Sequence, residues 1–262
     1  MTAALRIFFF GGITSYRALF HWLTPWILIP TFIVEPIFQV LFFAFVGRDA
    51  GVGDDSFYLI GNAVQFAAIP CLFAMGNTIG NERYTQTLGL LLASPARRLP
   101  LFLGRALPVI INGFCVSLVV LVLGALVLHV HIPGEAWVPI VGVLVVTSFS
   151  CTGLGLATAA LALRVRETAV LSNIIIGILI VFCGVNVPLS ALPTQMSTIS
   201  NLLPLTHGIE AARDLAGGGS WASVSGLVAT EALIGLVYAA LGMAMLFALE
   251  VESRRHATLE LA

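Results

Sequence analysis

Two carboxylates stand inside long apolar runs of this chain, Glu35 and Glu231. An ionisable group at the centre of a hydrocarbon layer costs about 2.5–3.5 kcal/mol, so each must be functional or compensated. Glu35 is followed at once by Pro36, which removes a backbone N–H and frees a carbonyl. Such a carboxyl can relay protons, or it can be a paired or protonated structural group. Glu231 lies about two turns into its run, so reaching out to the external interface is the simpler expectation for it. Five amides share these surroundings: Gln39, Asn62, Gln65, Asn112 and Asn173. Asn62 and Gln65 are three residues apart and so share one helix face. With Glu35 they form a candidate polar path for a solute. Hydrogen bonding between helices, worth about 0.6–2 kcal/mol per pair, is the commoner use of such amides.

Other chemistry is argued against. His129 and His131 share only a loop edge, and His207 stands beside Thr206 with Glu210 a turn further on. A metal site needs more convergent ligands, so none is expected. No nucleophile–base set falls within one element, so no catalytic residue is expected. Cys71, Cys115, Cys151 and Cys183 each sit in a different apolar run, where a thiol behaves as a small apolar group. The chain has no Lys at all. A phosphate-binding loop of the Walker type needs one to reach the terminal phosphates. Any nucleotide-driven step must therefore take place on another polypeptide.

The segment Asn81–Arg98, NERYTQTLGLLLASPARR, concentrates charge between two apolar runs. Tyr84, Leu88, Leu91 and Leu92 recur at helical spacing and give one apolar face. Glu82 falls in the first turn, where a carboxylate suits the helix dipole. Ser94-Pro95 ends the helix, and Arg97 and Arg98 follow. Such a helix can dock into a groove of a soluble subunit or lie on lipid. The residues alone do not choose between these.

The elements that must carry these groups are helices in a membrane. The chain is 59% hydrophobic and only 10% charged, with mean hydropathy +1.03; soluble domains carry about 25% charged residues. Six apolar runs are long enough to span a bilayer: Trp26–Val46, Phe57–Ile79, Leu107–Val130, Trp137–Leu163, Ala169–Leu189 and Val224–Leu249. They are continuous and do not alternate, which argues against a β-barrel. All twelve basic residues are Arg. Ten of them fall on one side of this arrangement, and only Arg48 and Arg213 on the other. The positive-inside rule then puts both termini in the cytoplasm. Residues 1–22, rich in aromatics, read as an interfacial helix without a cleavable signal peptide. The longest external region, residues 190–223, holds two short helical segments, Thr194–Leu203 and Leu205–Ala216, that dip back toward the bilayer. The reading is a single all-α polytopic domain over residues 1–262, with no internal repeat. A net charge of −1 offers no case for nucleic acid.

Three parts of the chain, in order, resemble one family. Glu82, Thr87, Leu88, Leu91, Ser94 and Pro95 are similar to the E…GT-L…L…SP pattern of ABC-2 type exporter permeases, with Gln86 where that family usually has Gly. These include the daunorubicin-resistance-like, nodulation-factor-like and polysaccharide-export permeases. Glu35-Pro36 followed by apolar residues and Gly47 resembles the family's first span. Gly184–Pro193 and Leu202–Asp214 resemble its last external segment, with Pro188, Pro193, Pro204, Thr206 and Arg213 in the matching places. The resemblance implies a six-span subunit that pairs with a second permease and with two ATPase subunits, which bind ATP and Mg. It implies that the helix after span 2 is the coupling helix. Contact with the ATPase would fall to Glu82, Arg83, Tyr84, Thr87, Leu88, Leu91, Ser94, Pro95, Arg97 and Arg98. Pro188, Pro193, Pro204, Thr206, His207 and Arg213 become candidates for an external gate. The implied activity is export of a hydrophobic or amphipathic small molecule or a lipid-linked glycan across a bacterial cytoplasmic membrane. The alternative from a different class is a proton-coupled carrier using Glu35 or Glu231. Such carriers commonly contain inverted repeats.

Overall fold

The structure, a computed structural model, describes Thr14 and residues 24–51, 53–84, 98–161 and 168–256. Among these residues the fold is helical throughout. A short helix α1 (Pro25–Ile29) runs through a π-helical turn, Pro30–Val34, into α2 (Glu35–Ala50). There follow α3 (Asp55–Gln65), α4 (Ala68–Tyr84), α5 (Arg98–Leu128), α6 (Trp137–Leu161), α7 (Thr168–Phe182), α8 (Thr194–Ser200), α9 (Thr206–Ala216) and α10 (Trp221–His256). Five segments are long and apolar enough to cross a membrane: Pro30–Ala50, Asp55–Asn77, Leu103–Leu128, Gly134–Leu161 and Trp221–Ala248. The apolar helix Thr168–Phe182 is shorter. The sequence predicts a span out to Leu189 there. Instead the chain leaves the helix at Cys183, where Gly184 takes φ +74°, a conformation open to glycine. Pro188 then leads into a 3-10 turn, Leu189–Ala191. The expected interfacial helix over residues 1–22 falls, apart from Thr14, outside the described residues. So do residues 85–97 of the charged segment.

Span 2 is expected to be one uninterrupted helix. It is broken by a turn at Phe66-Ala67, between α3 and α4. The cause is Pro70, which has no N–H to give to the Phe66 carbonyl and whose ring clashes with it. The amide of Ala67 bonds back to Val64 O (3.1 Å), so the Ala63 carbonyl loses its usual partner. The Ser117 hydroxyl of α5 donates to that carbonyl at 2.6 Å. The break is thus satisfied from a neighbouring helix, as a buried backbone requires.

Helix α6 is the centre of the bundle, packed against α10, α4, α5 and α9. Lipid tails are as apolar as leucine, so burial alone does not hold spans together; close backbone approach does. The α6–α10 seam is built for this. A Cβ on Gly235 would lie 2.7 Å from Ser150 Cα, and one on Gly242 2.6 Å from the Ala157 nitrogen. Gly153 faces the Gly235 carbonyl from the other side. The buried hydroxyls of Thr147, Ser148, Thr152 and Thr158 each donate to the carbonyl one turn back, so each is satisfied within α6. Where α2 gives way to α3, Asp54 caps α3 by accepting the Phe57 N–H (3.1 Å), and Arg48 pairs with Asp55.

Candidate functional site: a polar cavity between the spans

The amides scattered along the sequence converge. Gln39 of α2 reaches span 2, where its Nε2 donates to Asn62 Oδ1 (2.9 Å) and to Gln65 Oε1 (3.1 Å). Asn62 Nδ2 donates to the Tyr58 carbonyl (2.8 Å) and to Asn186 Oδ1 (2.8 Å). The direction of this network follows from one group. A main-chain carbonyl can only accept, so the Tyr58 carbonyl fixes the Asn62 amide with its nitrogen toward α3's own turn. Asn62 Oδ1 must then accept, which fixes Gln39 as the donor. Both Gln39 hydrogens are then used, and Gln65 must accept with its oxygen. What remains are the Nε2 of Gln65 and the Nδ2 of Asn186, both buried and without a partner.

Gln65 lines a cavity of about 580 Å³. Its walls come from the π-helical turn and α2 (Thr31, Phe32, Glu35, Gln39), from both halves of span 2, from Asn112 of α5, and from Asn173, Ile176 and Ile180 of α7. Five of the six path residues named from sequence, Glu35, Gln39, Gln65, Asn112 and Asn173, therefore share one space, and Asn62 stands behind them holding Gln39. The expectation that these amides pair between helices describes Gln39, Asn62 and Gln65. It does not describe Asn112, whose Nδ2 is buried and unpartnered. Nor does it describe Asn173, whose Nδ2 bonds to Ala169 O in its own helix (3.0 Å). Glu35 has no hydrogen-bond or ion partner among the described residues. Among the described residues it is the only charged side chain in the lining. Sequence reasoning missed Asn77 and Asn186. Asn77 lines the cavity and accepts from Thr168 at 3.4 Å. Both are amides inside expected apolar spans, the same signal that singled out the others.

The segment between α7 and α10 is organised by a buried Glu231 and a half-buried Arg213. Glu231 does not reach the external interface; it is 0% exposed. Its Oε1 accepts the Leu205 N–H (2.9 Å) and its Oε2 the Gly208 N–H (3.3 Å). These N–H groups belong to the start of α9, where no intrahelical acceptor exists. Helix α9 folds over this part of α10, so depth counted along α10 alone does not measure exposure. Leu205 is held at φ +84°, a costly conformation for a non-glycine residue, with its side chain fully buried. Arg213 packs over the Phe57 ring at 3.5 Å and donates to the carbonyls of Gly184 (2.8 Å), Val185 (2.9 Å) and Phe57 (2.9 Å). Burial lowers its pKa to about 10, so it stays a cation at neutral pH. Of the other gate candidates, Thr206 donates to Ser200 O (2.6 Å), and His207 Nε2 lies 3.2 Å from Asn201 O. The Pro204 carbonyl accepts from the Cys183 thiol, and Pro188 and Pro193 precede the turn Leu189–Ala191 and α8. In the charged segment, Glu82, Arg83 and Tyr84 close the backbone of α4 and Arg98 opens α5. Thr87, Leu88, Leu91, Ser94, Pro95 and Arg97 lie outside the described residues.

The described residues thus form a multi-pass helical bundle with a polar cavity between its spans and a folded segment between α7 and α10. The sequence profile of one family, ABC-2 type transporter, matches residues 11–216 of this chain, which includes the cavity, the charged segment and all of α9. The chain belongs to the ABC-2 type transporter family and is a permease component of an ABC transporter, a class that associates with an ABC ATPase subunit. No curated protein matches the chain.

Proposed function

We propose that this chain is the transmembrane half of an exporter whose ATP is bound and hydrolysed, with Mg, by a separate ATPase subunit. It works paired with a second permease in a bacterial cytoplasmic membrane, with both termini inside. The observation that carries the reading is the family match extending over Asn81–Arg98 together with a chain devoid of Lys. A family member without a phosphate-binding lysine needs its motor from outside, and that segment is where the sequence concentrates the charge to receive it. The substrate passes through the cavity beside Glu35, Gln39, Gln65, Asn112 and Asn173, and the segment carrying Pro188, Pro193, Pro204, Thr206, His207 and Arg213 covers the exit.

The test is co-expression of the full chain with the ATPase encoded beside it, with purification by a tag on one. A complex in mild detergent or nanodiscs is expected. E82A and L88A are expected to lower substrate-stimulated ATPase activity and transport about tenfold or more while the complex still assembles. Absence of any complex, or unchanged coupling in both variants, sinks the reading. The proton-coupled alternative draws on the unpaired Glu35. It predicts transport that collapses with an uncoupler while ATP stays high.

A further inference from the structure

Two spaces border one stretch of α3. Gln65 lines the cavity already described, and Phe57 and Ile60 line a second space of about 590 Å³ at the ends of α3, α5 and α9. From Ile60 to Gln65 is only about 7–8 Å of helix. The turn that follows α7, Gly184–Asn186, is packed across that stretch. A Cβ on Gly61 would run into the Val185 carbonyl, and Val185 is fully buried. Two fastenings hold the turn, and they differ in strength. At one end Arg213, which also lines the second space, donates to the Gly184 and Val185 carbonyls. Bonds from a charged donor are roughly twice as strong as neutral ones. At the other end the Asn186 side chain takes one neutral bond among the described residues, from Asn62 Nδ2 (2.8 Å). Its own Nδ2 is buried without a partner. The packed turn therefore keeps one amide bond and orphans one donor, whereas Asn186 turned toward water would satisfy both ends of its amide. Asn62 is fully buried, and its Oδ1 accepts from Gln39, a residue of the first cavity's lining. Without Gln39 the Asn62 oxygen loses that donor and the amide is held at one end only.

We propose that Gly184–Asn186 is a strap closed between the two spaces, hinged at Arg213, latched by the Asn62–Asn186 bond and released when Gln39 leaves Asn62. Its use in export rests on the reading above that the first cavity is the substrate path, and it adds what controls the opening of that path. The latch end yields first because its single bond is neutral and its orphaned donor gains water on release. Gln39 makes the release answer to the cavity: a displacement of α2 reaches the strap through one shared amide, without any bond between Gln39 and Asn186.

The protein carries its own reporter. Cys183 adjoins the strap and is 1% exposed, while Cys71 and Cys151, 0% exposed, serve as controls for general loosening. Right-side-out vesicles holding the permease–ATPase complex, in a C115S background that removes the exposed thiol, are treated with a small membrane-impermeant methanethiosulfonate. Labelling is read by mass spectrometry of the purified chain. N62L and N186L cut the latch from opposite sides, and each is expected to speed labelling of Cys183 about tenfold or more. N186L, at a half-buried position, carries the test should N62L fail to assemble. N186D keeps the acceptor and removes the orphaned donor, so it should label no faster than the background chain. Q39L should speed labelling about 3–10-fold, and should add little when combined with N62L. Unchanged labelling of Cys183 in the latch variants overturns the proposal. So does N186D labelling as fast as N186L, or Cys71 and Cys151 labelling in parallel with Cys183. I176C, on the wall of the first cavity, separates this inference from the reading it rests on. If the latch variants expose Cys183 but leave position 176 unlabelled from this face, the strap stands and the path reading falls.

Discussion

Glu231 acts across helices: its two oxygens close the N-terminus of α9 and hold the strained Leu205. E231A leaves two buried N–H groups without an acceptor, at about 1–3 kcal/mol each. E231Q keeps one oxygen and so one of the two bonds. The expected order of thermal unfolding midpoints in nanodiscs is wild type, then Gln, then Ala; equal midpoints would remove Glu231 from this role. The contrast with Glu35 shows what a sequence can say about one residue. A polar side chain inside an apolar run is visible without a structure, and the cavity amides were found that way. Who answers it is not visible, because the answer comes from segments far away in the chain. Leu205 and Gly208 precede Glu231 by 26 and 23 residues, and the carbonyl of Phe57 lies 156 residues from Arg213. Arg213, counted from sequence as an external basic residue, is in fact a clamp that ties the ends of α3 and α7 together. Gly61 leaves the room it needs: a Cβ there would stand 2.5 Å from the Arg213 guanidinium.

Elements are held by what is small. The α6–α10 contact depends on Gly235 and Gly242 against Ser150, Gly153 and Ala157. G235L must push the helices apart and is expected to destabilise by about 1–3 kcal/mol or more. L236A, on the neighbouring exposed face, should stay within about 0.5 kcal/mol of wild type in the same unfolding measurement. Apolar length and turn residues were enough to locate five spanning helices, and the two short external helices lie within a residue or a few of their expected bounds. Interruptions were less legible. Hydropathy averages over Phe66-Ala67 and returns a single span, although Pro70 was in view. The shortness of α7 depends on Gly184 adopting a left-handed backbone, which composition does not announce. P70L restores the missing N–H and the rod. It is expected to raise thermal stability, since an interior proline costs about 3 kcal/mol, and to lower transport. Stability and transport that rise together would show that the break has no functional use.

At the scale of the molecule, charge decides orientation and cavity content separately. Ten of the twelve Arg are expected on one side, and the described lining of the cavity contains none. A C-terminal fluorescent fusion should therefore glow, as cytoplasmic fusions do, and one inserted at Gly134 should stay dark. The reverse pattern would invert the topology and the direction of transport with it. Each span also joins the whole with a different firmness. The Gly134–Leu161 and Asp55–Asn77 windows are 67% and 78% buried, the Pro30–Ala50 window 22%. The broken span 2 is itself the most buried of these windows. A straight rod delivers a push along its length unchanged. A break at Phe66-Ala67 leaves a joint at which a push on α4 is expected to be taken up as movement against α3. Gln65 rides on the upper arm, and Ile69, Phe73 and Asn77 on the lower. The cavity wall is therefore made from both sides of the break, and any displacement of α4 against α3 is expected to reshape the chamber directly.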